Sequence, residues 1–339
     1  MVLILRQSDN GLFCEAGNFH VDPWEPVDRA VITHAHSDHA RWGSKRYLVA
    51  RDGERVLRQR LSADPDARFA PKIESVEYGQ PVFLNGVRVS LHPAGHILGS
   101  AQVRIEHRGE VWVVSGDYKL QSDPTCAPFE PLRCHTFVTE STFGLPIYRW
   151  PSSENVLASV ADWWRANREA GKASLLLTYS LGKAQRLLAG LANRMEGAAI
   201  YTHGAVEAPT EIYRQQGVPL ANTVHVAAAP PDTVWSTALI LAPPSCRGTP
   251  WTRRFEPFSS GFASGWMRIR GTRRRLSLDR GFVFSDHADW SGLNEAIEAT
   301  GAESVWVTHG YRTPLVRWLR EKGRDARAVE TRFEGEAES

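Results

Sequence analysis

A dense cluster of histidine and aspartate near the start of the chain constrains its fold more than any other feature. The apolar residues 31–32 lead through a threonine into His34, His36, Asp38 and His39, which lie within six positions. Imidazole and carboxylate groups are common ligands of Zn²⁺ and similar divalent ions. Four such side chains this close together would be costly to bury unless an ion coordinated them. The cluster therefore predicts a metal site at the end of a strand.

Two further hydrophobic strands end on a residue that can bind a metal and that stands near a glycine. They place His96 after Gly95 and Asp117 after Gly116. Glycine has no side chain, so it lets the backbone approach a ligand closely. Taken alone, each residue is equally well explained as an ordinary polar loop residue. Together with the first cluster, His96 and Asp117 are predicted as the next two ligands.

Three later strands also end on a titratable side chain, namely Glu140, His287 and His309. Asp22 ends an early strand in the same way and directly precedes Pro23. A turn-forming aspartate is the simpler interpretation of Asp22. The alternative is a carboxylate that does not bind the metal itself but orients one of the metal ligands through a hydrogen bond.

The middle of the chain has a different pattern, in which short apolar runs alternate with helical spacing. This alternation predicts a parallel α/β unit. Ligand-bearing strands lie on both sides of it, so we expect an insertion of residues 145–262 into a domain formed by residues 1–144 and 263–339. Within the insertion, a strand–turn–helix with Gly182 and Lys183 at the helix start could contact a phosphate group. A plain connection is the alternative.

The composition is that of a globular protein, with 42% hydrophobic and 23% charged residues among 339. This length suits two domains. No apolar run is long enough to span a bilayer, and the first residues lack the basic start and cleavage site of a signal peptide. A cytoplasmic location without membrane association is therefore expected. The four cysteines are scattered, which indicates reduced thiols rather than a disulfide framework.

Positive charge is concentrated in one segment, although the whole chain carries a formal net charge of only +2. Between Arg247 and Arg280 there are nine arginines and two carboxylates, a local balance of +7. Such a segment suits a polyanionic partner, and a solvated basic face is the alternative. The residues expected to contact a substrate are Ser180, Lys183, Trp266, Arg268 and Arg270. For the tryptophan, packing in the core is the competing interpretation.

These residues, taken in order, resemble a known family over nearly the whole chain. The opening cluster is similar to the HxHxDH signature of the metallo-β-lactamase fold. The full set of ligand-type residues resembles that of the β-CASP branch of this superfamily, which contains nucleic-acid nucleases. The stretch Glu140-Ser141-Thr142-Phe143-Gly144 is similar to the first additional motif of that branch. His287 is similar to the second additional motif and His309 to the third. The stretch Leu181-Gly182-Lys183-Ala184-Gln185 is similar to a turn of the inserted domain of that branch.

The resemblance implies an α/β fold in which a metallo-β-lactamase αββα sandwich carries an inserted β-CASP α/β domain. It also implies two divalent metal ions, Zn²⁺ or alternatively Mn²⁺. The implied ligands are His34, His36 and His96 for one ion, Asp38, His39 and His309 for the other, and Asp117 for both. Asp22 would then orient a ligand without binding the metal.

The chemistry implied is the hydrolysis of phosphodiester bonds. A pair of divalent ions stabilises charge on the phosphate and lowers the pKa of bound water to about 7. The leaving oxygen needs a proton, which His287 would supply while Glu140 orients its ring. The expected catalytic residues are Asp38, Asp117, Glu140 and His287.

Two further stretches, residues 18–24 and residues 264–266 before the arginines, look like those of the bacterial ligase-associated DNA exonucleases. These enzymes are relatives of the Artemis-type repair nucleases. The likeness implies an exonuclease that digests single-stranded or end-containing DNA from 5′ ends during DNA repair. It also implies an ATP-dependent DNA ligase and a helicase as partners.

Other functions fit parts of the same pattern. Histidine at position 309 agrees with mRNA-end-processing relatives, so an RNA-processing β-CASP ribonuclease is the main alternative. A small-molecule metallo-hydrolase is a weaker one, because such an enzyme needs neither the inserted unit nor the pair Glu140 and His287. A non-catalytic nucleic-acid-binding subunit would have no need of a full set of metal ligands.

Overall fold

The structure is a computed structural model that describes residues 3–62, 71–195 and 199–332. Contacts among these residues divide the chain into two compact units. The first unit contains the described residues up to Pro146 and those from His287 onward. The second unit contains the described residues from Ile147 to Asp286. The first boundary therefore lies close to the predicted one after Gly144.

The second unit ends at Asp286, later than the sequence predicts, because the strand Arg280–Phe282 belongs to its sheet. The strand Arg280–Phe282 pairs in parallel with the strand Phe258–Ala263, which in turn pairs with Ala173–Leu177. The sequence pattern assigns the apolar residues around Phe282 to a strand that ends on His287. In the structure that strand ends at Phe282, and the chain reaches His287 only after four more residues of irregular backbone.

The first unit contains two β-sheets. The strands of the first sheet are β1 (Arg6–Ser8), β2 (Gly11–Cys14), β3 (Phe19–Val21), β4 (Arg29–Val31), β5 (Arg46–Ala50) and β6 (Lys72–Val76), in this order across the sheet. The strands of the second sheet are β7 (Val82–Leu84), β8 (Val87–Pro93), β9 (Ala101–His107), β10 (Glu110–Val114), β11 (Thr136–Glu140), β18 (Ser304–Thr308) and β19 (Asp325–Ala328). Their spatial order is β19-β18-β11-β10-β9-β8-β7.

The two sheets share one hydrophobic core, and helices cover the other face of the second sheet. Successive side chains of a strand point to opposite faces. In β18, Trp306 joins the core shared with the first sheet, whereas Val305 and Val307 pack with Ile297 and Leu315 of two helices. The helices of this unit are α1 (Glu54–Leu61), α6 (Trp290–Thr300) and α7 (Arg312–Glu321).

The second unit is a parallel α/β layer, which confirms the pattern predicted for the middle of the chain. Its strands are β12 (Ala173–Leu177), β13 (Ile200–Thr202), β14 (Val224–His225), β15 (Leu239–Ala242), β16 (Phe258–Ala263) and β17 (Arg280–Phe282). They form one sheet of order β14-β13-β15-β12-β16-β17, and each pair is parallel. Its helices are α2 (Ser153–Glu169), α3 (Lys183–Leu191), α4 (Gly204–Gln215) and α5 (Arg270–Arg275).

Helix α2 shows how the sequence builds this layer. The side chain of Ser152 accepts a hydrogen bond from the backbone of Asn155, which satisfies one free amide at the helix start. Val156 and Val160, four residues apart, bury one face of the helix in the core of the unit. Gly171, with φ +67°, follows the last turn and lets the backbone leave the helix.

Short 3₁₀ helices complete the described structure. They are Arg51–Gly53, Val226–Ala228, Trp235–Thr237, Pro244–Cys246, Pro250–Phe255 and Gly265–Arg268. Every helix among the described residues is too short or too polar to cross a lipid bilayer.

Strand direction places the predicted site residues at one edge of each sheet of the first unit. Asp22 follows β3 and the histidine cluster follows β4, and these two strands are parallel neighbours. Asp117 follows β10, Glu140 ends β11 and His309 follows β18, and these three strands are also parallel neighbours. Because parallel strands end at the same edge of a sheet, side chains distant in sequence come together.

Candidate metal centre

Four predicted ligands converge on one point. The ligand atoms of His34, His36, His96 and Asp117 all lie within 4.8 Å of one another. Nδ1 of His36 lies 3.1 Å from Nε2 of His34 and 3.1 Å from Nε2 of His96. Oδ2 of Asp117 lies 3.4 Å from Nε2 of His34. Three imidazoles and one carboxylate are a donor set that suits a divalent ion such as Zn²⁺.

Glycines make this convergence sterically feasible. Gly116 has φ +57°, and a Cβ atom there would lie 2.6 Å from Cβ of Thr33. Gly95 has φ +74°, and a Cβ atom there would lie 2.3 Å from the carbonyl oxygen of Lys119. The sequence predicted that glycine lets the backbone approach a metal. In the structure these two glycines instead let one ligand-bearing loop approach another part of the protein.

The residues expected around a second ion are less tightly grouped. Nε2 of His39 lies 3.4 Å from Oδ2 of Asp117 and 3.7 Å from Oδ2 of Asp38. The ring of His309 stacks on that of His39, with centroids 5.1 Å apart and an angle of 24° between the planes. His309 itself has φ +53°, an uncommon conformation for a residue with a side chain. Among the described residues, these four side chains do not form a group within 4.8 Å of the kind seen for the first site.

The surroundings of His39 fit a metal ligand. Its Nδ1 lies 2.8 Å from Oδ2 of Asp22, and its buried Nε2 has no hydrogen-bond partner among the described residues. An unpaired buried nitrogen is costly in a protein that binds nothing there. A histidine that ligates a metal with one nitrogen usually has the other held by a carboxylate. The residues present therefore fit a divalent cation.

Asp22 links the backbone to this ligand. Its carboxylate accepts hydrogen bonds from the backbone amide of Thr33 at 2.8 Å and from the Thr33 hydroxyl at 2.6 Å. The same carboxylate faces His39, as described above. This geometry favours the second interpretation of Asp22, a carboxylate that orients a ligand, over that of a simple turn residue.

The charges within the site balance each other. Burial lowers the pKa of His34 well below its ordinary value, and the charge of His39 adds to this effect. Burial and His39 also lower the pKa of His309. Burial opposes the charged form of His39 too, but the carboxylates of Asp117 and Asp38 outweigh it and raise its pKa. A proton on His39 thus balances Asp117 where a cation would otherwise do so.

Glu140 and His287 form a buried pair beside the ligands. Nδ1 of His287 lies 2.9 and 3.0 Å from the two carboxylate oxygens of Glu140, and His287 and Glu140 are 1% and 0% exposed. The backbone amide of Tyr118 donates to Glu140 at 3.0 Å. Asp117 lies 4.0 Å from the same His287 nitrogen. The ligand atoms of Asp117, Glu140 and His287 also lie within 4.8 Å of one another, so the geometry allows these residues to hold an ion as well as to move a proton.

The residues expected to contact a substrate all lie in the second unit. Lys183 is fully buried, with Nζ 3.7 Å from Oδ2 of Asp286 and 4.2 Å from the ring centroid of Tyr179. This position does not favour direct contact with a phosphate. Ser180 and Trp266 are partly buried.

The two arginines of that set are exposed. Arg268 donates through Nε to the carbonyl oxygen of Ile147 at 3.1 Å, and Arg270 begins α5. Both guanidinium groups therefore remain accessible to an anionic ligand.

Sequence reasoning missed two residues that support the centre. Thr33 donates to Asp22, and its Oγ1 lies 3.1 Å from Nδ1 of His34. Its position directly before the cluster was a usable signal. The hydroxyl of Ser100 accepts hydrogen bonds from the backbone amides of His96 and Ile97. No local pattern distinguishes that serine from other loop residues.

Comparison with known proteins gives the family. No family model matches the chain. A "Probable DNA ligase" of Opitutus terrae is 30% identical over 328 residues, which cover 94% of this chain and 30% of the ligase. The "Cleavage and polyadenylation specificity factor subunit 3" of Dictyostelium discoideum is 33% identical over 123 residues, 36% of this chain and 16% of that protein. The "Cleavage and polyadenylation specificity factor 73" of Drosophila melanogaster is 29% identical over 184 residues, 50% of this chain and 26% of that protein.

The chain belongs to the β-CASP nuclease family. This β-CASP chain spans less than a third of the length of each of these relatives. A solved structure with a similar fold, titled as a protein of unknown function from Enterococcus faecalis, has a TM-score of 0.57 and 12% identity. The similarity covers 90% of the β-CASP chain and 80% of the Enterococcus chain, and it concerns the fold alone.

Proposed function

We propose that the chain is a metal-dependent nuclease that hydrolyses the phosphodiester bonds of DNA from 5′ ends in DNA repair. The observation that carries this proposal is the convergence of His34, His36, His96 and Asp117 next to the buried pair of Glu140 and His287. A hydrolase of this kind needs both a cation to stabilise the phosphate and a separate group that can protonate the leaving oxygen.

We assign the first unit to a metallo-β-lactamase αββα sandwich and the second to an inserted β-CASP domain. Two sheets that share one core, with helices on the outer face of one of them, support the first assignment. The second unit is a parallel layer, and its residues stand in the sequence between strands of the first unit, which supports the other assignment.

Divalent metal ions are the proposed cofactors, two per chain, with Zn²⁺ preferred to Mn²⁺ because three imidazoles dominate the compact site. The proposed holders are His34, His36 and His96 for one ion, Asp38, His39 and His309 for the other, and Asp117 for both. Bound there, the ions supply a Lewis acid for the phosphate and an ionised water at neutral pH.

The proposed role of His287 is to carry the proton that the leaving oxygen receives. Its Nδ1 hydrogen donates to the Glu140 carboxylate, which fixes the ring and leaves Nε2 as the nitrogen that can release a proton to a substrate. Glu140 is kept in place by the backbone amide of Tyr118, so the pair does not depend on solvent for its orientation. Asp38 and Asp117 contribute negative charge that holds the cations.

The preference for DNA rests on the extent of the likeness. The relative called a DNA ligase matches 94% of the chain, whereas the cleavage and polyadenylation factors match at most half. An RNA-processing nuclease is the second candidate, because relatives named as endoribonucleases match the chain as well. A small-molecule hydrolase is a weaker candidate, since such an enzyme would not need the pair of Glu140 and His287.

A digestion assay tests the proposal. The purified protein, stripped by a chelator and reloaded with Zn²⁺ or Mn²⁺, is incubated with single-stranded DNA and with RNA of the same sequence, each labelled at the 5′ end. We expect early release of labelled mononucleotide from DNA. Degradation of RNA with DNA left intact would favour the second candidate, and stable product of one internal length would contradict digestion from an end.

The role of His287 is tested separately with His287→Ala. We expect kcat on DNA to fall about 10²- to 10⁴-fold with unchanged metal content, because only proton transfer is lost. Turnover of a p-nitrophenyl phosphodiester should fall much less, since its leaving group needs no proton. His107→Ala, a change in a histidine at the end of β9, is the matched control.

A cytoplasmic location and an association with an ATP-dependent DNA ligase and a helicase remain predictions. The name of the Opitutus relative, of which the chain spans 30%, is consistent with a link to a ligase. Co-purification of the three proteins from cells would test that association.

A further inference from the structure

Ser141 connects the ends of two strands that carry site residues. It follows Glu140, the last residue of β11, and Glu140 pairs with Thr308, the last residue of β18. The side chain of Ser141 is fully buried. Its hydroxyl donates to the carbonyl oxygen of Thr308 at 3.2 Å and to that of His309. Ser141 therefore contacts the backbone that carries a proposed metal ligand.

The turn after His309 is folded around the same serine. The backbone amide of Tyr311 donates to the carbonyl oxygen of Ser141 at 2.8 Å. Gly310 has φ +61°, and a Cβ atom there would lie 2.4 Å from that carbonyl oxygen. Glycine, which has no Cβ atom, permits so close an approach. Ser141 thus contacts the chain both before and after the side chain of His309.

The backbone of His309 needs support because its conformation is unfavourable. Its φ of +53° lies in the left-handed region, which residues with a side chain rarely adopt. Such conformations persist only where the surrounding structure determines them. In this conformation the ring of His309 stacks on that of His39. A change of φ at His309 would redirect its ring, because the side chain turns with the backbone.

The ring of His309 is oriented less firmly than that of His39. Its Nδ1 lies 3.2 Å from the hydroxyl oxygen of Thr308, and its Nε2 lies 3.5 Å from that of Thr331. Neither partner is a carboxylate, whereas Nδ1 of His39 faces Asp22 at 2.8 Å. A carboxylate held against one ring nitrogen is a common way to orient a ligating histidine. For His309, the contacts made by the backbone take on more of this task.

A purely structural role for the Ser141 hydroxyl is the alternative. Buried carbonyl oxygens need a hydrogen-bond donor whether or not a metal is bound nearby. If the hydroxyl only satisfies these oxygens, its loss lowers the stability of the metal-free and the metal-loaded protein alike. If it positions His309, its loss also weakens one metal site and leaves the other unchanged.

We propose that Ser141 is a positioning residue that holds His309 in the conformation needed to bind the second of the two metal ions. The proposal rests on the proposed two-metal nuclease and deepens it. The hydrogen bonds of Ser141 reach residues 308, 309, 311 and 144, and none of these belongs to the first ion's set of His34, His36, His96 and Asp117. The first ion should therefore bind normally without this hydroxyl.

The variant Ser141→Ala tests the proposal. Zinc is added in steps to protein stripped by a chelator, and competition with a chromophoric chelator gives the affinity for each equivalent. We expect the affinity for the second equivalent to fall about 10- to 100-fold, as is typical when a group that orients a ligand is lost. The affinity for the first equivalent should equal that of the parent.

Manganese gives a spectroscopic check of the same outcome. The parent with two equivalents of Mn²⁺ should show the electron paramagnetic resonance signal of a magnetically coupled pair of ions. Ser141→Ala at the same metal concentration should show the signal of isolated ions. Loss of stability alone does not separate the ions in this way.

Two substitutions are matched controls. Thr142→Val, at the next position, removes a buried hydroxyl that has no hydrogen-bond partner in the part of the chain that the structure describes. Thr300→Val, at the end of α6, removes a buried hydroxyl that donates to the carbonyl oxygen of Ile297 at 2.7 Å, a bond of the same kind. Both variants should bind two ions, although Thr300→Val should unfold at a lower temperature than the parent.

Gly310→Ala tests the contact from the other side. Its Cβ atom would push the turn away from Ser141, so we expect the same selective loss of the second ion. Gly79→Ala is its control, because Gly79 has φ +75° and a Cβ atom there would meet nothing within 4 Å. Loss of the second ion in the Gly79 variant as well would overturn the proposal, because backbone strain alone would then explain the loss.

Unchanged affinity for both equivalents in Ser141→Ala would overturn the proposal, as would an equal loss at both sites or an equal loss in Thr142→Val. A parent protein that binds two ions but cleaves no nucleic acid would remove the proposed function and leave the role of Ser141 intact. A parent that cleaves, with a Ser141→Ala variant that binds both ions as the parent does, would do the reverse. A parent that binds one ion only would contradict both.

Discussion

Asp22 is the side chain on which the orientation of His39 depends. Its two oxygens hold the amide and hydroxyl of Thr33 and face Nδ1 of His39. Carboxylates in this position fix the tautomer of a ligating histidine, so that its second nitrogen is free to bind the cation. The loss of Asp22 should therefore act on the metal without removing a ligand.

Asp22→Asn keeps the size of the side chain but removes its charge. We expect metal affinity to fall about 10- to 100-fold, as is typical when a carboxylate that is hydrogen-bonded to a ligating histidine is lost. Competition with a chromophoric chelator measures the affinity. Asp28→Asn, in an exposed aspartate paired with Lys45, is the control and should leave affinity unchanged. An equal effect of both changes would contradict the assigned role of Asp22.

Metal binding should release protons and weaken as the pH falls. Asp117 and Asp38 raise the pKa of His39 above its ordinary value despite burial, so that its proton competes with the cation even above pH of about 6.5. The lowered pKa of His34 means that this ligand is already neutral there. Calorimetric titration in two buffers of different ionisation heat measures the protons released. No release near pH 7 would contradict a ligand role for His39.

Lys183 offers a test of two roles for one side chain. It is fully buried, and its Nζ lies 3.7 Å from the carboxylate of Asp286. Lys183→Met would leave Asp286 with Arg186, whose Nη1 lies 3.9 Å from Oδ1 of Asp286, as a remaining cation. The change should therefore reduce stability by about 1–3 kcal/mol, less than the loss of the sole partner of a buried charge would cost. Chemical denaturation measures this change, with Lys172→Met in an exposed lysine as the control. A higher KM for the nucleic-acid substrate with unchanged stability would instead support the phosphate contact predicted from the sequence.

The sequence predicts the metal ligands better than it predicts the residues that orient those ligands. His34, His36, Asp38 and His39 could be found because their spacing is local and explains all four together. The role of Asp22 depends on the pairing of β3 with β4, which brings it beside the cluster and which no short pattern encodes.

The loops after the strands fix the site through close backbone contacts. The loop after β10 carries Asp117, and Gly116 within it packs against Thr33 in a left-handed conformation. Gly109, in the turn between β9 and β10, has a similar conformation with φ +83°, but a Cβ atom there would meet no described atom within 4 Å. Both glycines therefore have a backbone conformation that would strain any other residue, but only at Gly116 would a side chain also clash with its surroundings.

Gly116→Ala and Gly109→Ala separate these two effects. Gly109→Ala should cost only strain, about 1 kcal/mol, and leave metal binding intact. Gly116→Ala adds a clash with Thr33 and should cost about 3 kcal/mol or more and displace Asp117. Thermal unfolding and metal content report the two outcomes. Normal metal content in Gly116→Ala would mean that the loop after β10 can move without harm.

Local patterns located most strands but not the end of β17. The apolar residues 282–284 and His287 fit a strand that ends on a ligand, as β11 does. In the structure β17 ends at Phe282, because only Arg280 to Phe282 find partners along β16. Pairing between strands decides where a strand ends, and a single-strand pattern does not contain that information.

The described residues of the chain as a whole form two compact units. The first unit holds the candidate metal centre, and the second holds the nine exposed arginines from Arg247 to Arg280. The sequence predicts the insertion because strands that end on ligands stand on both sides of an alternating α/β pattern. It predicts the second boundary too early, because the crossover from β16 through α5 to β17 is short and rich in arginine rather than in apolar residues.

In the proposed metal centre, side chains from distant parts of the first unit surround divalent cations. Anomalous diffraction from crystals loaded with Zn²⁺, recorded on both sides of the zinc absorption edge, tests it most directly. We expect one strong peak in contact with His34, His36, His96 and Asp117, and a second peak at Nε2 of His39. Peaks elsewhere on the protein, with none bordered by these side chains, would contradict it.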